Sequence, residues 1–266
     1  MKSLGFAGAM ALAAFTLSGP AAAAVIETFD NPVAVSPTQA AGTWYTDRYA
    51  PADFTAGVAF DGRQVLEVDI SPSDSANNRP GGFGGAFYNT QGRKFDLDPG
   101  TTSMSIELYV DDAWAGSGKR MAGFWGTGFD NSNAVAAFPI LEYTEGDGPG
   151  RFRGYEVTTG NWLDLGLPSG FAYDSWYTLG ITLSGGMFTY TVGNLSVSTD
   201  AGDATSIGNV ILQGHNTTTG VEYAIHWDNL ATGAAVPEPS SWALMILGFG
   251  AAGAALRRRT RALAGA

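Results

Sequence analysis

The 266-residue chain contains no cysteine. Disulfide cross-links, zinc–thiolate centres and thiol nucleophiles are therefore excluded. Histidine is nearly absent: His215 and His226 are the only two, too few for a histidine-rich metal site. Neither has a serine or carboxylate partner at a motif spacing. No G-x-S-x-G elbow occurs, and the run Gly81 to Gly85 lacks the lysine of a phosphate loop. Positive charge is scarce, with 14 Lys and Arg against 25 Asp and Glu and a formal net charge of −11. A nucleic-acid duplex or an anionic lipid surface repels such a chain, so no nucleic-acid partner is expected. Helical periodicity is missing too. From Ile26 to Leu230 no ten residues carry an apolar stripe of period 3.6.

What is present alternates with period two. Gln64 to Ile70, Ser103 to Val110, Arg120 to Trp125, Ala136 to Tyr143 and Arg153 to Val157 each read as a strand. Trp176 to Leu183, Gly185-Gly186 and Met187 to Val192 form the clearest hairpin. Gly193-Asn194 then turns the chain into Leu195 to Val197, and Val221 to Leu230 is the last strand. The 37 glycines have no collagen period and suit tight turns. Short strands at regular spacing predict a β-sandwich, because a single sheet would leave one apolar face wet.

Both ends carry apolar segments. Lys2 precedes the run Leu4 to Leu17. Ser18-Gly-Pro20 breaks it, and Ala21 to Ala24 supply small residues for cleavage. Residues 1–24 thus read as a secretory signal peptide handled by the Sec machinery and signal peptidase, with an uncleaved anchor as the alternative. At the other end Pro237-Glu238-Pro239 is a stiff break, since each proline fixes φ and removes a donor. An uncharged apolar run, 242–256, follows, and then Arg257, Arg258, Arg259 and Arg261. Apolar run plus arginine stop reads as a membrane helix with its C-terminus in the cytoplasm. Fifteen residues reach about 22 Å against a hydrocarbon core of about 30 Å, so the arginine stems must snorkel. The chain is thereby divided into 1–24, a β-domain at 25–235, a sorting segment at 236–261 and a tail at 262–266.

The C-terminal segment resembles the PEP-CTERM sorting signal of Gram-negative bacteria in its P-E-P-x-x-W-A form. Pro237, Glu238, Pro239, Trp242 and Ala243 carry the likeness, followed by the apolar run and the arginines. The resemblance implies recognition by an exosortase, a membrane-embedded cysteine transpeptidase-like enzyme, with cleavage near the P-E-P. It spans only 236–261; the alternative is an ordinary C-terminal anchor. The central domain resembles jelly rolls of the concanavalin A/laminin-G type. Asp174-Ser-Trp-Tyr-Thr-Leu179, the hairpin, Phe188 to Val192 and the closing Trp227-Asp228-Asn229-Leu230 carry that likeness. The fold it implies hosts lectins, glycosidases, lyases and inert adhesins, so it assigns no activity.

Candidate chemistry is sparse. Glu67 and Asp69 project from one strand face, as a glycosidase pair would, but the third acid of a laminarinase-type E-x-D-x-x-E falls at Pro72. A solvated strand face is the plainer reading. Jelly rolls pair their terminal strands, so Glu27, Asp30 and Asp228 are candidates to share a structural calcium, which takes several carboxylate and carbonyl oxygens. Solvated acids and a turn cap are the alternative. Aromatic faces stack on sugar rings. Trp114, after Asp111-Asp112, and Trp162, after Gly160-Asn161, are the candidates for loop positions that bind a glycan. Trp125, Trp176 and Trp227 are expected in the core. The resulting expectation is an all-β jelly-roll protein, exported through the inner membrane and processed by exosortase. It would then reside at the cell surface, in the outer membrane or outside the cell. Its expected role is structural or adhesive and non-enzymatic, with exopolysaccharide as the partner. A secreted polysaccharide-active glycosidase or lyase on the same fold is the alternative.

Overall fold

The computed structural model describes residues 24–72, 82, 85, 87–146, 148–215 and 222–233. The expected signal peptide, except Ala24, and the sorting segment 236–261 with its helix lie outside the described residues. No helix among the described residues is long and apolar enough to cross a membrane.

Two sheets form a jelly-roll sandwich. Sheet A runs in the order β15 (Leu195–Asp200), β14 (Met187–Val192), β13 (Ser175–Ser184), β7 (Ser103–Val110), β17 (Tyr223–Gly233), β5 (Arg63–Ile70), β4 (Asp53–Phe60). A further strand, β1 (Ala24–Glu27), also pairs with β17. Sheet B runs β12 (Asn161–Gly166), β11 (Arg151–Glu156), β10 (Ile140–Thr144), β8 (Arg120–Phe129), β16 (Ser206–His215), β6 (Thr90–Asp96), β3 (Trp44–Thr46), β2 (Val35–Ser36), with β9 (Val135–Ala137) on β8. Early and late strands meet in the middle of each sheet, at β7, β17 and β5 and at β8, β16 and β6, whereas β13 to β15 and β10 to β12 follow chain order. The terminal strands pair as expected, with Ala24 opposite Thr232 and Glu27 opposite Leu230.

Period-two alternation builds the core. Met104, Ile106, Leu108 and Val110 of β7 face inward with Leu66, Val68 and Ile70 of β5, Leu179 and Ile181 of β13, and Phe188 and Tyr190 of β14. Phe124, Leu141, Tyr143, Phe152, Val210 and Leu212 of sheet B meet them. Each such side chain contributes about 1.5–3 kcal/mol of burial. The expected hairpin is present: β13 and β14 pair from Leu179–Val192 to Ser184–Met187, and Gly185 and Gly186 turn with φ of 56° and 75°. Both angles are left-handed, as this tight turn requires.

One expected strand is corrected. Ala136 to Tyr143 is not continuous but splits into β9 and β10 around Phe138-Pro139. Pro139 has no N–H to continue the ladder, and its carbonyl instead accepts from the Gly126 N–H at 2.9 Å. Trp227 is fully buried in the core, as expected, whereas Trp125 packs on the opposite face of sheet B.

Candidate binding face on sheet B

The outer face of a sandwich sheet is ordinarily wet and polar. On sheet B it is polar but buried. Alternate positions of β8 (Gly123, Trp125, Thr127) and β16 (Asn209, Ile211, Gln213, His215) point away from the core. So do Glu142 of β10, Arg153 and Tyr155 of β11, and Trp162 of β12. Trp125 and Gln213 are 0% exposed, Glu142 1%, His215 2% and Arg153 3%. Cover comes partly from Phe87, whose ring lies 5.6 Å from Trp125 and 5.5 Å from Tyr155, and from Arg48, 5.1 Å over Trp125.

A β-bulge sets the charged part. Tyr143 pairs with Ala122 and Thr144 with Arg120, so Met121 is the extra residue of β8. The bulge sends Met121 into the core and leaves Arg120 on the outer face. Tyr223 pins it from the other sheet: its hydroxyl donates to the Met121 carbonyl at 2.7 Å and accepts from the His215 N–H at 2.9 Å. Glu142 then accepts from Arg120 Nε at 3.1 Å and Nη2 at 3.0 Å, and from Arg153 Nε at 2.8 Å. His215 Nε2 lies 3.7 Å from the same carboxylate. Burial pulls the Arg153 guanidinium below the usual arginine range, and the Glu142 charge opposes that shift. Trp162 lies against both arginines, 3.9 Å from Arg153 and 5.1 Å from Arg120.

Gln213 is the centre of the neutral part. Its cross-strand neighbours are Gly92 on β6 and Gly123 on β8. A methyl added at Gly92 would lie 2.5 Å from Gln213 Cβ. One added at Gly123 would lie 2.6 Å from Trp125 Nε1 and 3.3 Å from Gln213 Cγ. The two glycines thus open a slot for the glutamine, and the Trp125 indole N–H converges on the same spot. Among the described residues neither the Gln213 amide nor Trp125 Nε1 has a hydrogen-bond partner. Buried polar groups are almost always satisfied, and leaving one unpaired costs about 1–3 kcal/mol. The amide and the indole N–H are thus buried side by side, with donors and an acceptor unused among the described residues.

The tryptophans expected to bind separate here. Trp162 is half-buried at the arginine end of this face, on a strand rather than in a turn. Trp114 is corrected: it is 3% exposed and packs in the core, with ring centroids 6.0 Å from Tyr143 and 6.1 Å from Tyr223. A 3-10 turn at Asp112–Trp114, capped by the Asp111 carboxylate on the Ala113 N–H, directs it inward.

Of the expected terminal acids, Glu27 on β1 and Asp228 on β17 belong to sheet A, and Asp30 lies in the bend after β1. Asp30 and Asp228 line one cleft of about 950 Å³ with Asp61, Arg63 and Glu107, and Glu27 is not among its lining residues. The Arg63 guanidinium sits 2.7 Å from Glu107 and 3.3 Å from Asp228. Burial pushes the Asp228 carboxyl up, and Arg63 opposes the shift. Glu27 accepts from the Phe29 N–H at 3.0 Å and Asp30 from the Thr28 hydroxyl at 2.7 Å. The structure thus gives Asp228 a cationic side-chain partner and the other two acids local ones. Among the described residues, three carboxylates with oxygens within 4.8 Å of one another are those of Asp111, Asp112 and Asp174. Glu67, expected on a solvated face, lies 3.0 Å from His226, its direct cross-strand neighbour.

Gln213, Glu142, Arg120 and Arg153 are not among the residues singled out from the sequence, and His215, set aside there for want of a partner at a motif spacing, has Glu142 at 3.7 Å through the fold. Only Gln213 and His215 carry a local signal. Asn209-Val-Ile-Leu-Gln213-Gly-His215 places polar groups on alternate positions of an apolar strand.

The comparisons with known proteins fall on two parts of the chain. Residues 235–259 match the family of the PEP-CTERM protein-sorting motif. That motif is the recognition signal for an exosortase, and it marks the chain as exported. A search of curated protein sequences finds no match. Among solved structures, the chain is similar to a GlcNAcα1-4Gal-releasing endo-β-galactosidase from Clostridium perfringens. The TM-score is 0.54 and the identity 11%, over 85% of this chain and 64% of that one. This likeness shows the shared sandwich fold. Two others are alginate lyase vAL-1 from Chlorella virus (TM-score 0.45, 13% identity, 73% of this chain and 94% of that one) and a sialidase (TM-score 0.42, 12% identity, 72% of this chain). The chain spans only 17% of the sialidase's length.

Proposed function

We propose that this exported protein binds polysaccharide at the cell surface or in the extracellular matrix, in a structural or adhesive role without catalysis. The ligand occupies the outer face of sheet B. The single observation that carries this reading is the fully buried Gln213 amide, set between Gly92 and Gly123 beside the Trp125 N–H, both without a hydrogen-bond partner among the described residues. A sugar hydroxyl both donates and accepts, which matches an amide, and Trp162 offers a ring face nearby. A second reading rests on His215, which shares the Glu142 carboxylate with two arginines on the same face. A histidine so placed is a candidate general acid or base, and the protein would then be a glycosidase or lyase. A glycan array probed with residues 25–235, run beside assays for reducing-sugar release and for unsaturated-product formation, separates the two. Binding without turnover supports the first reading. Turnover that His215→Ala abolishes supports the second. Silence in all three assays overturns both.

A further inference from the structure

The same strands carry a second set of open polar groups. Four residues along β16 from Gln213, Asn209 faces Thr127 of β8. They are 5% and 3% exposed, and among the described residues Asn209 Oδ1 and Thr127 Oγ1 have no hydrogen-bond partner. Both line a separate cavity of about 500 Å³ with Tyr45, Lys94, Phe129 and Phe138. Its construction repeats that around Gln213. A glycine again lies under an aromatic ring, for a methyl on Gly208 would come within 2.6 Å of Phe129 Cδ2. Phe129 is half-buried and Phe138 is 41% exposed, so ring surface is open to solvent there.

We infer that this cavity is a second sugar-binding station, and that the ligand is a polysaccharide chain bound internally along β8 and β16. The inference rests on the binding reading proposed above. Four strand residues span about 13 Å. A single sugar at the Gln213 station does not bridge that distance; a chain of several units does. Between the stations lie Trp125 and Ile211, flanked by Arg48 and by Lys94, which share Asp47 at 2.5 Å and 3.1 Å. The bound chain passes over the Arg48–Asp47–Lys94 ion pairs. Each station supplies unpartnered polar atoms beside an aromatic ring, which is the combination a sugar needs: hydroxyls satisfied at its edge and an apolar face covered.

The test measures affinity against ligand length. Calorimetric titrations use disaccharides to octasaccharides of alginate, an acidic polymer, and of a β-glucan, a neutral one. The unaltered protein should gain affinity with length until both stations are reached. The double variant Thr127→Val, Asn209→Leu keeps the side-chain shapes and removes two unsatisfied polar atoms, so its folding is not at risk. It should lose the length-dependent gain, and the octasaccharide-to-disaccharide affinity ratio should fall about tenfold, as two lost hydrogen bonds imply. An unchanged ratio overturns the second station alone. If Gln213→Leu leaves the affinity for disaccharides intact, the first station is overturned and with it the proposed face. Failure of the unaltered protein to bind any of these oligosaccharides overturns both.

Discussion

Gln213 is placed against its own stability. Its amide is buried without a partner among the described residues, and neighbouring strands carry glycine where any Cβ would crowd it. Substituting Gln213→Leu removes the unsatisfied group at nearly constant volume. The variant should therefore melt at a higher temperature, by about 1–3 kcal/mol of stability, while losing glycan binding. Calorimetry and a binding titration on one preparation check both halves. A melting point that falls shows that the amide has a stabilising partner and sinks the binding argument. Glu142 should behave in the opposite way. Replacing it with leucine leaves the Arg153 guanidinium buried without its countercharge, and the loss should be about 3–5 kcal/mol in denaturant unfolding. Little of this was legible from the sequence. Glu142 and its arginines are 22 and 11 residues apart in the chain and meet only through strand register. Glu67 and His226, separated by 159 residues, were equally invisible as a pair.

Elements were easier to read than residues, because period-two alternation is a local property. The β13–β14 hairpin, the β7 strand and the pairing of the terminal strands all follow from patterns within a few residues or from the fold they imply. The failures are also local, and each has a cause. Pro139 interrupts the apolar stretch from Ala136 to Tyr143 that reads as one strand. Trp114 sits past a strand end where a loop was expected, yet the 3-10 turn returns it to the core. Trp114→Ala should cost about 3–5 kcal/mol, as other large aromatic truncations do, and leave glycan affinity of the folded fraction unaltered. The turn between β8 and β9 makes a pH-dependent prediction. The Asp130 carboxylate accepts from the Ala134 and Ser132 N–H groups and the Ser132 hydroxyl. These bonds, that from Ala134 foremost, hold its carboxyl below the usual range. A depressed pKa stabilises the fold above the unfolded-state value, and that contribution is lost as pH falls through the folded one. Asp130→Ala should lower the melting temperature at neutral pH, and the gap should close once both carboxyl states are protonated.

At the scale of the whole molecule, export and folding are written in separate stretches. The β-domain carries its own core, and the sorting motif occupies 235–259. Changing Pro237, Glu238 and Pro239 to alanine should block processing, so mass spectrometry of the native host's membranes should find full-length chains. Mature protein ending near the motif in that variant would refute the role of the P-E-P. The placement of the last strand matters for the same reason. The C-terminal segment leaves from β17, which is not an edge strand: β7 and β5 flank it, and β1 pairs with its final residues. Consider mechanical load. If the chain is held by its C-terminus while a glycan drags on sheet B, the pull runs along β17. Hydrogen bonds to both neighbours must then shear together. A pull applied instead between the two ends would part Ala24 from Thr232 and unzip β1 one bond at a time. On this strand order, tension from the tail is carried by more bonds at once than tension between the ends, and a tether at the C-terminus would load the domain in the more resistant direction.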